Sequence, residues 1–245
     1  MTVTARSQLS TDPSLRRYED LRHLLHDVDN PTPLVRVGRV VPGALDFYLK
    51  LEWLNPFGSI KDRAASYMFK GLVDSGALGD RELVEASSGN TAIALAALAA
   101  LAGTRLTVTI PDGVPEEKKV LLRMLGAEVW PTPDELCPVD NPKDGAIALA
   151  RALAASEGGE RYLMVGQYDN DDNVRAHYET TGPEIWRQTE GRIRYFFAGF
   201  GTCGTITGVG RFLKEQDPTI EVVAIEPQQN HRLPGLKSFA EAQEP

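Results

Sequence analysis

The run ELVEASSGNTAIALAALAALAG, Glu82 to Gly103, passes from a short segment through a turn crowded with hydroxyls into an unbroken apolar stretch. Glu82 to Ala86 has the length of a strand and is bounded by turn residues, so it reads as one. Asn90 to Gly103 reads as a helix that stops at its glycine. The apolar part, Ala92 to Ala102, is about half the roughly 20 residues a bilayer crossing needs, which makes it a helix buried against a sheet. A strand feeding directly into a buried helix is half of a βαβ unit.

The pairing recurs in both directions. Upstream, Phe47 to Glu52 reads as a strand and Asp62 to Ser75 as a helix. Downstream come a strand at Leu106 to Ile110, a helix at Glu116 to Leu125 stopped by Gly126, and a short strand at Glu128 to Pro131. From Pro131 to Pro142 the composition shifts to Pro, Asp and Asn, which reads as a loop or mobile cover. A helix at Asp144 to Ser156 and a strand at Tyr162 to Val165 follow, leading into the polar Gln167 to Asn173. The remainder reads as a helix near Val174 to Thr189, a strand at Arg194 to Phe200, a helix at Thr205 to Gln216 and a strand at Glu221 to Ile225. This alternation specifies an α/β fold with mostly parallel sheets. We expect a smaller αβα domain over residues 52–156, with a mobile cover around 114–142. A larger one is expected from 15–51 plus 157–245, with a flexible arm at 1–14.

The net charge of −8 over 245 residues leaves no basic surface to release counterions from nucleic acid, so small molecules are the expected ligands. Two cysteines, Cys137 and Cys203, make no disulfide framework, and four scattered histidines make no metal site. A reducing cytoplasm is the expected setting. Met1 to Pro13 is polar and lacks the apolar stretch of a signal peptide or anchor.

Four polar segments carry the candidate chemistry. Lys61 lies in NPFGSIKDR, Asn55 to Arg63, a turn that opens a helix. The positive end of the helix dipole disfavours an ammonium there unless an anion or a covalent partner shares the place. Taken alone, Lys61 reads better as a solvated helix lysine. Gly201-Thr202-Cys203-Gly204-Thr205 follows an apolar strand and opens a helix. Its glycines, hydroxyls and helix N-terminus suit a phosphate, although a tight turn also selects glycine. Ser87-Ser88-Gly89-Asn90-Thr91 offers donors for a carboxylate, beyond what one N-cap requires. Gln167 to Asn170 leaves a strand end, where α/β proteins bind ligands. A rival reading uses Gly199, Gly201 and Gly204 with Glu226 as a dinucleotide fingerprint, making the chain an NAD-dependent oxidoreductase.

With these motifs in order, the chain resembles the cysteine synthase family of pyridoxal-phosphate enzymes. NPFGSIKDR resembles the family's lysine motif, SSGNT its substrate loop, GTCGT its phosphate cup, and TTGPEIW with TITGVGRFLKE its flanking helices. The resemblance implies two three-layer αβα domains like those of the tryptophan synthase β-subunit, and pyridoxal 5'-phosphate as cofactor. It implies that Lys61 forms the imine with the cofactor and later moves the α-proton, and that Asn90 meets the phenolate oxygen. Gly201, Thr202, Cys203, Gly204 and Thr205 would line the phosphate cup, Cys203 standing where the family usually has glycine. Ser87, Ser88, Gly89, Thr91 and Gln167 would hold the substrate carboxylate. Lys237, in Gly235-Leu236-Lys237-Ser238, would meet the phosphate of an O-phosphoserine substrate.

The reaction so implied is β-replacement: an O-acetylserine or O-phosphoserine loses its leaving group to give a bound aminoacrylate, to which a sulfide donor adds, yielding L-cysteine. Cystathionine β-synthase and diaminopropionate-type chemistry belong to the same family. Val114 to Leu125 corresponds to its moving element, and a homodimer is expected. Family members continue beyond the position of Pro245 and there complete the second sheet and supply a partner for the pyridine nitrogen. A fragment, or a shortened noncatalytic binding protein, is therefore a further expectation.

Overall fold

The computed structural model describes residues 18, 20–39, 45–87, 89–133, 145–231, 233 and 235–240. The expected N-terminal arm, most of the Pro131 to Pro142 loop, Ser88 and Cys137 lie outside these residues. Leu34–Arg36 (β1) and Tyr48–Lys50 (β2) pair antiparallel. The expected strand Phe47 to Glu52 ends early, at Lys50, and Glu52 turns into a short 3-10 segment. In that segment the Glu52 carboxylate accepts from the Arg63 guanidinium at 2.7 and 2.9 Å.

Lys61–Asp74 (α1) leads to Glu82–Ala86 (β3), followed by Asn90–Ala102 (α2), Leu106–Pro111 (β4), Glu116–Met124 (α3) and Glu128–Thr132 (β5). Ala146–Ala155 (α4) and Tyr162–Met164 (β6) complete a four-stranded parallel sheet in the order β5-β4-β3-β6. β6 thus hydrogen-bonds to β3, and the sheet crosses the boundary expected between residues 156 and 157. Every residue of β3 and β4 is buried, because helices cover both faces of a parallel sheet.

Side-chain alternation sorts the two faces. Leu83, Val108 and Ile110 join Met68 of α1 and Leu95 and Leu98 of α2 in the larger cluster. Val84 and Ala86 pack with Ala146, Ile147 and Ala150 of α4 on the other side. Each fully buried Leu, Ile or Met stabilises the fold by roughly 1.5–3 kcal/mol. Alanines on α2 let it lie close to both α1 and the sheet, and it is buried nearly all round as its apolar run predicts.

The helix expected from Val174 begins earlier and is not uniform. Asp172–Ala176 (α5) widens into one π turn, His177–Thr181, and resumes as Gly182–Gln188 (α6). Pro183, with no N–H to donate, sits where the wide turn hands over to α6. Tyr195–Gly199 (β7) and Glu221–Ile225 (β8) then pair in parallel around Gly204–Gln216 (α7). Ile185, Val209, Leu213 and Ile220 form the core beneath them.

A buried ion cluster fastens the two parts. The Arg63 guanidinium is bound by both oxygens of Glu184, by Glu52, and by the Thr180 hydroxyl at 3.1 Å. Lys50 completes it with a 2.6 Å contact to Glu184. The cluster fixes the start of α1 against α6, and Lys61 lies within that fixed start.

Candidate cofactor and substrate site

Three of the four candidate turns leave the C-terminal end of a parallel strand: 87–89 after β3, 165–167 after β6 and 200–203 after β7. Such ends, with helix N-termini behind them, are where α/β folds bind ligands.

The lysine turn is closed by its own side chains. Asp62 accepts from the Phe57 N–H at 2.6 Å and from the Ser59 hydroxyl, while Ser59 Oγ accepts from the Lys61 N–H at 3.1 Å. Burial pushes the Asp62 carboxyl up to about 6. Lys61 is the first residue of α1, as its sequence context predicts. Burial drives its ammonium pKa down, and the Cys203 thiol opposes this weakly. No carboxylate is paired with its Nζ among the described residues. A partly buried amine without an anion costs free energy and is poised to be neutral.

In the substrate loop, Ser87 Oγ accepts from the N–H groups of Gly89 and Ala92, at 3.2 and 3.3 Å. Gly89 has φ 156°, open to glycine alone, and a Cβ there would lie 2.8 Å from the ammonium of Lys118 on α3. Thr91 donates to Gln167 Oε1 at 2.7 Å and Gln167 Nε2 donates to the Ala86 carbonyl at 2.9 Å, so the loops after β3 and β6 are one unit. Behind them Glu85, buried in the sheet, accepts from the Gly166 and Gln167 N–H groups. Burial lifts its carboxyl to about 7 despite those bonds. Asn90 opens α2, is exposed, and makes no hydrogen bond through its side chain among the described residues.

The cup after β7 is held from behind. A Cβ on Gly201 would fall 2.6 Å from the Gly235 carbonyl, and one on Gly204 2.1 Å from Asn173 Oδ1. Close packing, beyond any ligand, therefore demands both glycines. Cys203 sits at φ 64°, the left-handed region, at the N-cap of α7. Thr202 accepts from Asn173 at 3.0 Å, and Thr205 Oγ1 is 3.2 Å from His177 Nε2. Gly208 has no room for a side chain against Val174 and His177, which lets α7 approach the π turn that carries His177. The Lys237 amine lies 4.2 Å from the centre of the Tyr168 ring. It and the Lys61 amine both act electrostatically on the Cys203 thiol.

The structure therefore groups Lys61, Cys203, Thr205 and Lys237 on one side, and Ser87, Gly89, Thr91 and Gln167 on the other, bridged by Asn173, which donates to Gln167 O at 2.8 Å as well as to Thr202. Ser88 lies outside the described residues. Sequence reading missed Asn173, His177, Glu85 and Lys118. The polar 167–173 stretch pointed toward Asn173, but nothing marked a histidine inside a helix as facing the cup. Glu226 is bonded to the Phe239 N–H in place of the ribose its dinucleotide role requires.

An unpaired lysine amine beside a glycine- and threonine-lined anion turn defines an enzyme that holds a phosphate-bearing aldehyde cofactor. The residues fit that group: the cup lies at the N-terminus of α7, and Lys61 is without an ionic partner among the described residues. The sequence pattern of the pyridoxal-phosphate dependent enzyme family matches residues 25–244. Cysteine synthase B of Salmonella typhimurium is 44% identical over 85% of this chain and 67% of its own length. Cysteine synthase of Aquifex aeolicus is 38% identical over 93% of this chain and 70% of its own. Among solved structures, an O-ureido-L-serine synthase superposes with TM-score 0.81 at 33% identity, covering 91% of this chain and 70% of that one. A cysteine synthase from Entamoeba histolytica gives 0.76 at 30%, covering 90% and 64%. The chain thus spans about two thirds of the length of these relatives. It belongs to the pyridoxal-phosphate-dependent enzymes, within the cysteine synthase family.

Proposed function

We propose that this protein makes L-cysteine by β-replacement on an activated serine, O-acetylserine or O-phosphoserine, with a sulfide donor. The observation that carries the reading is the Lys61 amine, partly buried, without a carboxylate and beside Cys203 of the cup, in a chain 44% identical to a cysteine synthase. The cofactor, when bound, supplies the aldehyde that Lys61 holds and an electron sink for charge at the substrate α-carbon.

The protein's own residues do the rest. Gly201, Thr202, Cys203, Gly204 and Thr205 present amides and hydroxyls to the phosphate at the N-terminus of α7. Asn90 meets the phenolate oxygen. Ser87, Ser88, Gly89, Thr91 and Gln167 orient the substrate carboxylate, and Lys118 places a cation beside that loop from α3. Lys61, whose ammonium pKa burial lowers, accepts the α-proton and returns it. α3, packed beside the four-stranded sheet, is the closing element that keeps water from the site. Lys237 recognises the phosphate when O-phosphoserine is the substrate. A cytoplasmic homodimer is part of the same proposal, and its support is family membership. Among the described residues no helix is long and apolar enough to cross a membrane.

Protein loaded with pyridoxal phosphate should show an absorption band at the visible edge that shifts on adding O-acetylserine or O-phosphoserine, and should release cysteine once sulfide follows. A folded protein whose band ignores both substrates would falsify the proposal. With Lys237→Ala, turnover of O-phosphoserine should fall selectively; equal rates for both substrates in both proteins end its anion role.

A further inference from the structure

Two buried side chains stand behind the cup threonines, and the reaction assigns them nothing. Asn173 Nδ2 donates to the Gln167 carbonyl at 2.8 Å and to Thr202 Oγ1 at 3.0 Å. A carbonyl only accepts, so Gln167 fixes which way the amide points. Thr202 Oγ1 already receives a hydrogen, and its own is left to donate elsewhere. The far side of the amide, Oδ1, is buried without a partner at Gly204.

Thr205 repeats the arrangement with an imidazole. His177 is completely buried, and burial pushes its pKa down to about 3, so the ring is neutral with a single N–H. Its Nδ1 lies 2.9 Å from Thr181 Oγ1 and its Nε2 lies 3.2 Å from Thr205 Oγ1. With the hydrogen on Nε2, the ring donates to Thr205 and accepts from Thr181. The other tautomer would draw the Thr205 hydrogen away from the cup and turn lone pairs toward it, which an anion disfavours.

We propose that Asn173 and His177 are positioning residues that set the Thr202 and Thr205 hydroxyls as hydrogen donors, so that the cup selects the ionised phosphate of its cofactor. His177 and Thr181, four residues apart in the π turn, lie together behind α7. The proposal rests on the pyridoxal-phosphate reading and deepens it. Asn173 also ties the cup to Gln167, so the phosphate and substrate loops share one buried amide.

The test is a fluorescence titration of the protein with pyridoxal phosphate and, separately, with pyridoxal, which keeps the aldehyde and lacks the phosphate. Asn173→Asp keeps the shape, removes the donor and adds a like charge. It should weaken pyridoxal phosphate about 10- to 100-fold, as expected for charge-assisted hydrogen bonds, and leave pyridoxal within about twofold. His177→Leu should lose about tenfold for the phosphate compound alone, and His177→Gln, which retains an N–H donor, should recover most of it. Equal losses for both compounds mean a packing role and overturn the proposal, as does an unchanged affinity for the phosphate compound in both Asn173→Asp and His177→Leu. Unsubstituted protein that takes up neither compound defeats the cofactor reading instead.

Discussion

Lys61 and Arg63 stand in the same first turn of α1, yet their charges meet opposite surroundings. Arg63 is enclosed by Glu52 and Glu184 with threonine hydroxyls filling the remaining donor positions. Those partners raise its pKa above that of a free guanidinium although burial opposes it. Lys61 has no such partner among the described residues, and burial lowers its pKa. One cation is spent on structure and the other kept available for chemistry. The difference shows how a fold holds a reactive amine still: it fixes the helix through a neighbour instead of through the amine.

The contrast breaks most visibly at Lys61. Lys61→Ala should abolish the visible-edge band and lower turnover by about 10²- to 10⁴-fold, with the thermal midpoint unchanged or higher because an unpaired amine has gone. A marked fall in midpoint would mean that Lys61 is structural after all.

Arg63→Met should do the reverse, costing about 3–5 kcal/mol because two carboxylates are left facing each other. The thermal midpoint drops by about 10 °C. Adding Glu184→Gln should restore part of the loss; a drop under 2 °C for Arg63→Met would show the cluster to be dispensable.

Glu85 sharpens the comparison from the acidic side. Its native pKa of about 7 lies above the ordinary 4.5, so the folded protein holds this proton to higher pH than the unfolded chain does. Its stabilising contribution is complete below pH 4.5 and is lost as pH rises through about 7. At about 1.4 kcal/mol per unit, the loss amounts to roughly 3 kcal/mol. Unfolding measured between pH 5 and 8 should therefore flatten in Glu85→Gln; the same slope in both proteins would refute the assignment.

The smallest effect belongs to Cys203. A non-glycine residue at φ 64° carries left-handed strain of about 1 kcal/mol, so Cys203→Gly should gain about that much and raise the midpoint by a few degrees. The cofactor band should persist, and its disappearance would assign the thiol a part in the site.

The fold was largely legible because its strands and helices bury whole faces, and burial writes itself into residue type. β3 and β8 fall at the residues expected from apolar content and turn signals, Glu82–Ala86 and Glu221–Ile225. β1 was not legible, since Leu34–Arg36 is only three residues long and ends in a charge. The π turn escaped because nothing local separates a wide helical turn from a regular one. Its cause is packing of α7, through Gly208, against His177. In the site, loops with several donors in succession announced themselves, whereas Glu85 read as an ordinary strand residue and Lys118 as one charge among several.

By itself the sequence determined the parallel α/β pattern, the lysine at a helix start and the motifs that mark a pyridoxal-phosphate enzyme of the cysteine synthase family, because periodicity and turn chemistry are local. Only the tertiary structure decided that Lys61 is buried with no carboxylate paired to it among the described residues, that β6 joins the sheet of β3, and that Asn173 and His177 back the two cup threonines. Those facts depend on groups distant in the chain. Arg63 and Glu184, Asn173 and Thr202, and Glu85 and Gly166 meet only after the strands and helices pack, and no local pattern records who the partner will be.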